Sequence, residues 1–181
     1  MKPEAAPATP RAVLIGLPGS GKTTTGRSLA RRLGVGFADS DDLVEQRAGH
    51  SVRAIFDRDG EAAFRAAEAE VISAALSAFD GVLALGGGAI LTESTRTALA
   101  ASGVPVVLLR AELATLVARV GRAMNRPLLA GDPMGRLTAL AAERQALYES
   151  LATVVIDTDR RPAKRVAADI DTTLNELAWR S

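Results

Sequence analysis

The sequence predicts a single-domain α/β fold in which helices cover both faces of a five-stranded parallel sheet. From Arg11 onward, short aliphatic runs alternate with stretches whose apolar residues recur at helical spacing. The short runs are almost continuously hydrophobic, which is typical of parallel strands buried on both faces. The length of 181 residues also suits one compact domain.

The predicted elements follow one another in a regular order. Strands are predicted at 12–15, 35–38, 82–85, 104–109 and 154–156. Helices are predicted at 22–33, 61–79, 111–120, 134–151 and 163–177. We expect residues 1–10 to form a disordered tail and residues 11–181 to form the domain. Residues 121–133, with two glycines and two prolines, lack periodicity and predict either a functional loop or a disordered one.

Composition excludes several classes of function. The net charge is +1, with 22 basic and 21 acidic residues, so no overall charge favours nucleic acid or a membrane surface. The chain contains no cysteine, which excludes disulfides, thiolate nucleophiles and cysteine metal sites. No apolar run approaches the roughly 18–20 residues of a membrane span, and the first ten residues lack the apolar core of a secretory signal. We therefore expect a cytoplasmic protein, and a monomer.

The first predicted strand leads directly into a phosphate-binding loop. Residues 16–23, Gly-Leu-Pro-Gly-Ser-Gly-Lys-Thr, match G-x-x-x-x-G-K-[ST] without a mismatch. Glycines let the backbone wrap around phosphate oxygens, and the helix N-terminus that follows favours an anion. We expect Lys22 to reach the β- and γ-phosphates and the Thr23 hydroxyl to bind Mg²⁺. The alternative is a glycine-rich turn without a ligand, and the motif does not separate kinases from ATPases or GTPases.

Two carboxylates follow the second predicted strand. Asp39 and Asp41 stand two residues apart just past the carboxyl end of that strand, at the edge where α/β sheets bind ligands. Two acids beside bound phosphates need a counterion, and Mg²⁺ suits them. Asp41 could alternatively serve only as the N-cap of a short helix over 43–47.

Three further features attract attention. Arg144 falls on the apolar stripe of its helix, where a buried guanidinium needs a partner; the alternative is an arginine that extends to water. Arg65 precedes Glu68 by three residues, and on spacing alone this is an ordinary surface pair. Residues 86–88 are three glycines after a buried strand, which indicates either a loose turn or a close approach of the backbone to a ligand.

Together with the phosphate-binding loop, six short elements in the same order and spacing resemble the shikimate kinase family. They are Asp39-Ser40-Asp41; Ile55-Phe56 with Asp59-Gly60-Glu61; Phe64-Arg65 with Glu68; Leu85-Gly86-Gly87-Gly88; Arg126-Pro127-Leu128-Leu129; and Arg144 ahead of Leu147-Tyr148. The similarity extends from residue 11 to about residue 162. It implies a P-loop kinase with a mobile lid that transfers the γ-phosphoryl group of ATP to the 3-hydroxyl of shikimate in aromatic amino-acid biosynthesis.

The resemblance also implies roles for individual residues. The residues implied in catalysis are Asp41, which would orient or deprotonate the hydroxyl, Lys22 and Arg126. The residues implied in ATP binding are Gly19, Ser20, Gly21, Lys22, Thr23, Thr24, Arg119, Arg126 and Arg161. The residues implied in shikimate binding are Asp41, Arg65, Gly86, Gly87, Gly88 and Arg144. Mg²⁺ would arrive with ATP and be held by Thr23 and, through water, by Asp39. The acceptor-binding region would span about 41–70 and the lid about 121–133.

Several other functions remain open at this level. Another small-molecule kinase, such as a gluconate kinase, would share residues 16–23 and Arg126, whereas Asp39 with Asp41, Arg65, the three glycines and Arg144 favour shikimate. A nucleotide kinase is disfavoured because no second base-binding pattern is found. A regulatory NTPase would hydrolyse ATP without any small acceptor. The intact Lys22, Thr23 and Asp41 argue against a non-catalytic nucleotide-binding module.

Overall fold

The computed structural model describes residues 9–122 and 132–179. Within them, five parallel strands form one sheet in the order β2-β3-β1-β4-β5. The strands are β1 (Ala12–Ile15), β2 (Gly36–Asp39), β3 (Gly81–Ala84), β4 (Val106–Arg110) and β5 (Val154–Asp157). The predicted five-stranded parallel sheet is therefore confirmed, and each strand lies close to its predicted range.

The helices of the described residues connect these strands. They are α1 (Lys22–Leu33), α2 (Ser40–Ala48), α3 (Val52–Ala78), α4 (Glu93–Ser102), α5 (Leu113–Arg122), α6 (Pro133–Leu151) and α7 (Ala163–Ala178), with a 3₁₀ helix at Ala89–Leu91. The prediction located only the second part of α3, because Gly60, at φ 82° and ψ 171°, bends the helix at a conformation that glycine tolerates. Helix α4 was not predicted: it buries only Thr95 and Leu99 and so has no clear apolar stripe.

Alternate residues of the central strands face opposite layers of helices. Val13 and Ile15 of β1 belong to a core cluster that includes buried residues of α3, α4 and α6. Ala12 and Leu14 point the other way, into a cluster formed with α1 and α7. Both faces of the sheet are therefore covered, which explains the continuous hydrophobicity of the strands.

The two segments predicted to be irregular are only partly described. Residues 1–8 lie outside the described residues, and order is evident by Pro10, which is buried, and by Arg11, whose N–H donates to Gly81 O at 2.7 Å. The predicted loop 121–133 is too wide at both ends, because α5 continues through Arg122 and α6 starts at Pro133. Residues 123–131, which include Arg126, lie outside the described residues.

The parallel order brings the carboxyl ends of β2, β3 and β1 side by side. The segments that follow these three strands are the Asp39–Asp41 segment, the triple glycine and the phosphate loop, so they meet at one edge of the sheet. None of the helices in the described parts of the chain is long and apolar enough to cross a membrane.

Candidate active site

The phosphate loop connects β1 to α1 and is held open for a ligand by its glycines. Gly19 and Gly21 adopt φ values of 84° and 91°, which other residues rarely reach. A Cβ at Gly19 would lie 2.9 Å from Val120 Cγ2, so the loop also packs tightly against α5. The Lys22 ammonium donates to Gly16 O at 2.7 Å and to Leu17 O at 3.2 Å, which places its charge across the loop.

The start of α1 contacts the end of β2 through polar oxygens. The Thr23 hydroxyl donates to Asp39 Oδ2 at 3.0 Å, and Asp39 Oδ1 accepts from Asp41 N at 3.2 Å. Asp39, rather than Asp41, is therefore the N-cap of α2, and the alternative that assigned the cap to Asp41 is wrong. Hydroxyl and carboxylate oxygens are the ligands that Mg²⁺ prefers, so this pair fits an ion delivered with a nucleotide. Within residues 9–122 and 132–179, no three acidic or histidine side chains converge as a metal site.

The triple-glycine turn brings side chains from two helices together. Gly86 N donates to the buried Ser40 hydroxyl at 2.8 Å, which fixes the turn against α2. A Cβ at Gly86 would lie 2.7 Å from both Asp41 Oδ1 and Glu68 Oε1. Any side chain at this position would displace one or both carboxylates, so glycine is required for close approach rather than for an unusual dihedral angle.

Arg65 lies beside the same turn, on α3. A Cβ at Gly88 would overlap its guanidinium group. Arg65 Nη1 donates to Glu68 Oε2 at 2.5 Å, and the two side chains are 21% and 1% exposed. The pair is thus largely buried, and the interpretation as an ordinary surface pair is wrong.

Glu68 is an ionisable group with a shifted pKa. Burial raises the pKa of Glu68 to about 7; Arg65 opposes this effect, and the nearby Asp41 and Asp39 add to it. The carboxyl group therefore titrates near neutral pH at the centre of the site. The sequence alone gave no sign of this, because the i,i+3 spacing does not report depth of burial.

Arg144 reaches the turn from the opposite side, on α6. Its Nη1 donates to Gly87 O at 2.9 Å, and the side chain is only 13% exposed, so it does not extend to water. The hydroxyl of buried Tyr148 also donates to Gly87 O, at 2.6 Å. Burial raises the pKa of Tyr148 to about 12, although Arg144 opposes that effect.

Buried polar atoms around this turn lack hydrogen-bond partners among the described residues. They are Arg65 Nε, Arg144 Nε and Glu68 Oε1. A buried polar group without a partner costs about 1–3 kcal/mol, and such groups in native proteins usually meet water, an ion or a ligand. Arg65 Nε lies 3.5 Å from Glu61 and Arg144 Nε 3.7 Å from Glu143, so each is near a carboxylate without a hydrogen bond to it. Two such guanidinium groups on either side of a glycine turn form a surface suited to a small carboxylate.

The predicted nucleotide contacts divide into two groups. Arg119 donates to Gly19 O at 3.3 Å and to the oxygens of Thr158, which places it beside the phosphate loop. Arg161 donates to Asp157 O at 3.0 Å and forms an ion pair with Asp169 of α7. Arg161 is thus already engaged by the protein.

Some contributors to the site were not identified from the sequence as site residues. Thr158 is 2% exposed and lies within 3.4 Å of Ser20 O, so it supports the phosphate loop from the end of β5. Ser40 and Tyr148 appear in the quoted motifs, but nothing in their spacing indicates hydrogen bonds to glycine turns far along the chain. Asp42 and His50 are exposed, as is Thr24 on the first turn of α1.

Comparisons with known proteins agree on one family. A family model described as shikimate kinase matches residues 18–175. A shikimate kinase from Thermobifida fusca is 53% identical over 158 residues, which cover 87% of this chain and 91% of the relative. One from Mycobacterium tuberculosis is 52% identical over 153 residues, covering 84% and 86%.

Solved structures give the same result. The shikimate kinase from Acinetobacter baumannii in complex with shikimate has a TM-score of 0.84 at 34% identity, with 96% of each chain covered. A gluconokinase from Sinorhizobium meliloti has a TM-score of 0.57 at 18% identity, which is a likeness of fold alone.

Proposed function

Since this chain belongs to the shikimate kinase family, we propose that its site transfers the γ-phosphoryl group of ATP to the 3-hydroxyl of shikimate, giving shikimate 3-phosphate. The observation that carries this proposal is the pair of buried arginines, Arg65 and Arg144, that meet at the glycine turn and whose Nε atoms make no hydrogen bond among the described residues. The gluconate kinase alternative is a distant structural neighbour only.

Arg65 and Arg144 bind the carboxylate of shikimate. Each guanidinium is anchored through Nη1, to Glu68 and to Gly87 respectively, while its Nε has no hydrogen-bond partner among the described residues. Anchoring one nitrogen fixes the plane of the guanidinium, so less side-chain freedom is lost when the carboxylate binds. The turn of Gly86, Gly87 and Gly88 has no Cβ atoms, so shikimate can approach both its backbone and the two arginines closely.

The phosphate groups of ATP bind to the loop of residues 16–23. Backbone N–H groups of Gly19 and Gly21, with Lys22 and the first turn of α1 at Thr23 and Thr24, supply the positive potential. Ser20 N–H also lines the loop, where it donates to Leu17 O at 3.1 Å. Arg119, beside Gly19, borders the nucleotide from α5. Arg161 borders the adenine, and its ion pair with Asp169 holds it in place.

Thr23 and Asp39 hold the Mg²⁺ that accompanies ATP, with Asp39 acting through water. When bound, the ion neutralises charge that develops on the transferring phosphoryl group. The protein holds the side chains of Thr23 and Asp39 in place before the ion binds. Asp39 Oδ2 accepts from the Thr23 hydroxyl, and Asp39 Oδ1 accepts from Asp41 N at the start of α2.

Asp41 orients the acceptor hydroxyl. Its carboxylate lies against Gly86, next to the acid-binding arginines. The shikimate oxygen forms a bond to the γ-phosphorus as the bond from that phosphorus to the bridging oxygen of ADP breaks, and Asp41 accepts the hydroxyl proton. Lys22 stabilises the phosphate charge, and Arg126, on a lid between the end of α5 and the start of α6, closes the site against water.

The wider organisation expected from the sequence is also part of the proposal. Residues 11–181 form one catalytic domain with its acceptor-binding region at about 41–70. The protein acts as a monomer in the cytoplasm, where ATP is available to a metabolite kinase. It needs no nucleic acid or membrane partner.

An ADP-release assay with ATP and Mg²⁺ tests the proposed function. Shikimate, gluconate, AMP and no acceptor are compared at equal concentration. ADP release that requires shikimate supports the proposal. Release with gluconate or AMP instead would remove the proposed roles of Arg65 and Arg144, and release without an acceptor would indicate a regulatory NTPase.

A further inference from the structure

One buried hydroxyl joins the two halves of the site. Tyr148 on α6 is 3% exposed, and its Oη lies 3.1 Å from Gly16 O and 2.6 Å from Gly87 O, as donor to both. Gly16 begins the phosphate loop after β1, and Gly87 is the centre of the glycine turn after β3. These glycines lie far apart in the chain, and the phenol connects them across two neighbouring strands.

Each of the two carbonyl groups also accepts from a cation of the site. Gly16 O accepts from Lys22 Nζ at 2.7 Å, and Gly87 O accepts from Arg144 Nη1 at 2.9 Å. A continuous path of hydrogen bonds therefore runs from the lysine of the phosphate loop, through Tyr148, to the arginine of the acid site.

The phenol has a single proton to share between two acceptors. Its position therefore depends on how strongly each carbonyl group is already bound by its cation. Burial raises the pKa of Tyr148 to about 12, against the opposing effect of Arg144, so the hydroxyl stays protonated across the working pH range. It acts as a hydrogen-bond donor and does not exchange protons with the substrates.

We propose that Tyr148 is a positioning residue whose hydroxyl couples the nucleotide site to the acid site. When the phosphates of ATP bind the Lys22 ammonium, the hydrogen bond from Lys22 to Gly16 O weakens. The phenol then shifts toward Gly16 O. The Gly87 turn then depends more on Arg144. A carboxylate that engages Arg144 changes the same balance from the other end, and such coupling is reciprocal by necessity.

This inference rests on the proposed function, because it takes residues 16–23 as the nucleotide site and Arg144 as part of the acid site. It extends that function by assigning Tyr148 an effect on the relation between the two substrates. Proteins accelerate phosphoryl transfer by positioning the two reactants and by electrostatic stabilisation, so a connection between their sites bears directly on turnover.

The variant Tyr148→Phe isolates the hydroxyl. The ring stays within the core cluster that surrounds it. Gly16 O retains Lys22 and Gly87 O retains Arg144, so neither carbonyl group loses its last donor. The matched control is Ser150→Ala, which removes an exposed hydroxyl from the same helix, where it bonds only to Leu147 O at 2.9 Å.

Calorimetry gives the dissociation constant of shikimate with and without a saturating non-hydrolysable ATP analogue and Mg²⁺. In the unmodified protein and in Ser150→Ala, we expect the two dissociation constants to differ by up to about tenfold. A tenfold difference corresponds to the free energy of about one hydrogen bond. In Tyr148→Phe we expect the ratio to fall to within about twofold of one. Thermal unfolding is recorded alongside each titration.

An unchanged ratio in Tyr148→Phe overturns the inference, even if the variant unfolds at a lower temperature, since a purely structural role predicts that result. A ratio of one in the unmodified protein also overturns it. Failure of the unmodified protein to bind shikimate overturns the proposed function and the inference together, whereas normal turnover with unchanged coupling in the variant overturns the inference alone.

Discussion

Substituting Gly88 tests the geometry of the acid site without replacing any charged residue. Gly88 has φ −101° and ψ −5°, which alanine adopts without strain. In Gly88→Ala the new Cβ would lie 2.7 Å from Arg65 Cζ and 3.0 Å from Arg65 Nη1. The backbone can remain in place, so the guanidinium has to move.

The guanidinium has to move by more than about 0.7 Å, because Cζ must go from 2.7 Å to the 3.4 Å at which ordinary contact begins and Nη2 starts closer still. That displacement stretches the 2.5 Å hydrogen bond from Arg65 to Glu68, and it moves the guanidinium out of line with the shikimate carboxylate. A hydrogen bond to a charged group contributes about 1.5–3 kcal/mol, so we expect the KM for shikimate to rise about 10- to 100-fold. The KM for ATP should change little, whereas the unfolding temperature should fall, because the displaced arginine leaves the buried Glu68 with a weaker partner.

Steady-state kinetics with each substrate varied in turn measures this effect, with Gly87→Ala as the matched variant. A Cβ at Gly87 would lie 3.5 Å from Pro18 Cδ and 3.8 Å from Arg144 Nη1, both ordinary contacts. We expect a several-fold smaller change there. Equal effects in the two variants, or an unchanged KM for shikimate in Gly88→Ala, would refute the placement of the acid beside Arg65.

Further substitutions separate the other parts of the site. Lys22→Ala should lower turnover by at least about 10²-fold while the circular dichroism spectrum stays unchanged; near-normal turnover would exclude the phosphate loop as the ATP site. Asp41→Asn should lower kcat by about 10²- to 10⁴-fold with ATP affinity retained in a titration, and a kcat close to normal would remove Asp41 from the reaction. Arg144→Ala should raise the KM for shikimate sharply and leave that for ATP alone, and an unchanged KM would contradict the clamp. Burial raises the pKa of Glu68 from 4.5 to about 7, so the folded protein keeps a proton that the unfolded chain releases, and stability falls as pH rises through this interval. Glu68→Gln should therefore gain stability relative to the unmodified protein between pH 5 and pH 8, by up to about 3 kcal/mol in denaturant unfolding, and a constant difference would contradict the shifted pKa.

The sheet and the loop after β1 could be predicted from the sequence because their signals are local. Buried parallel strands need continuous apolar runs, and a phosphate loop needs glycines and a lysine at fixed spacing. The short helix α4 could not be predicted this way. Thr95 and Leu99 are its only buried residues, so its periodicity is weak.

The contacts within the candidate site could be predicted less completely. Spacing favoured a surface pair for Arg65 and Glu68, whereas the fold covers them with the glycine turn that follows β3. The bridge from Tyr148 to Gly16 joins residues 132 positions apart, and Thr158 reaches Ser20 across 138. Such contacts depend on strand order, which no local pattern reports. Asp39 rather than Asp41 caps α2 because the helix begins at Ser40, directly after β2, and not at residue 43 as expected.

We propose that the γ-phosphoryl group of ATP reaches shikimate held between the arginines and Asp41. Phosphorus NMR of a reaction with ATP, Mg²⁺ and shikimate identifies the product directly. We expect one new phosphate monoester, coupled to the proton on carbon 3 of shikimate and formed in equal amount to ADP. Inorganic phosphate accompanying ADP, or an ester on a different hydroxyl group, would contradict it.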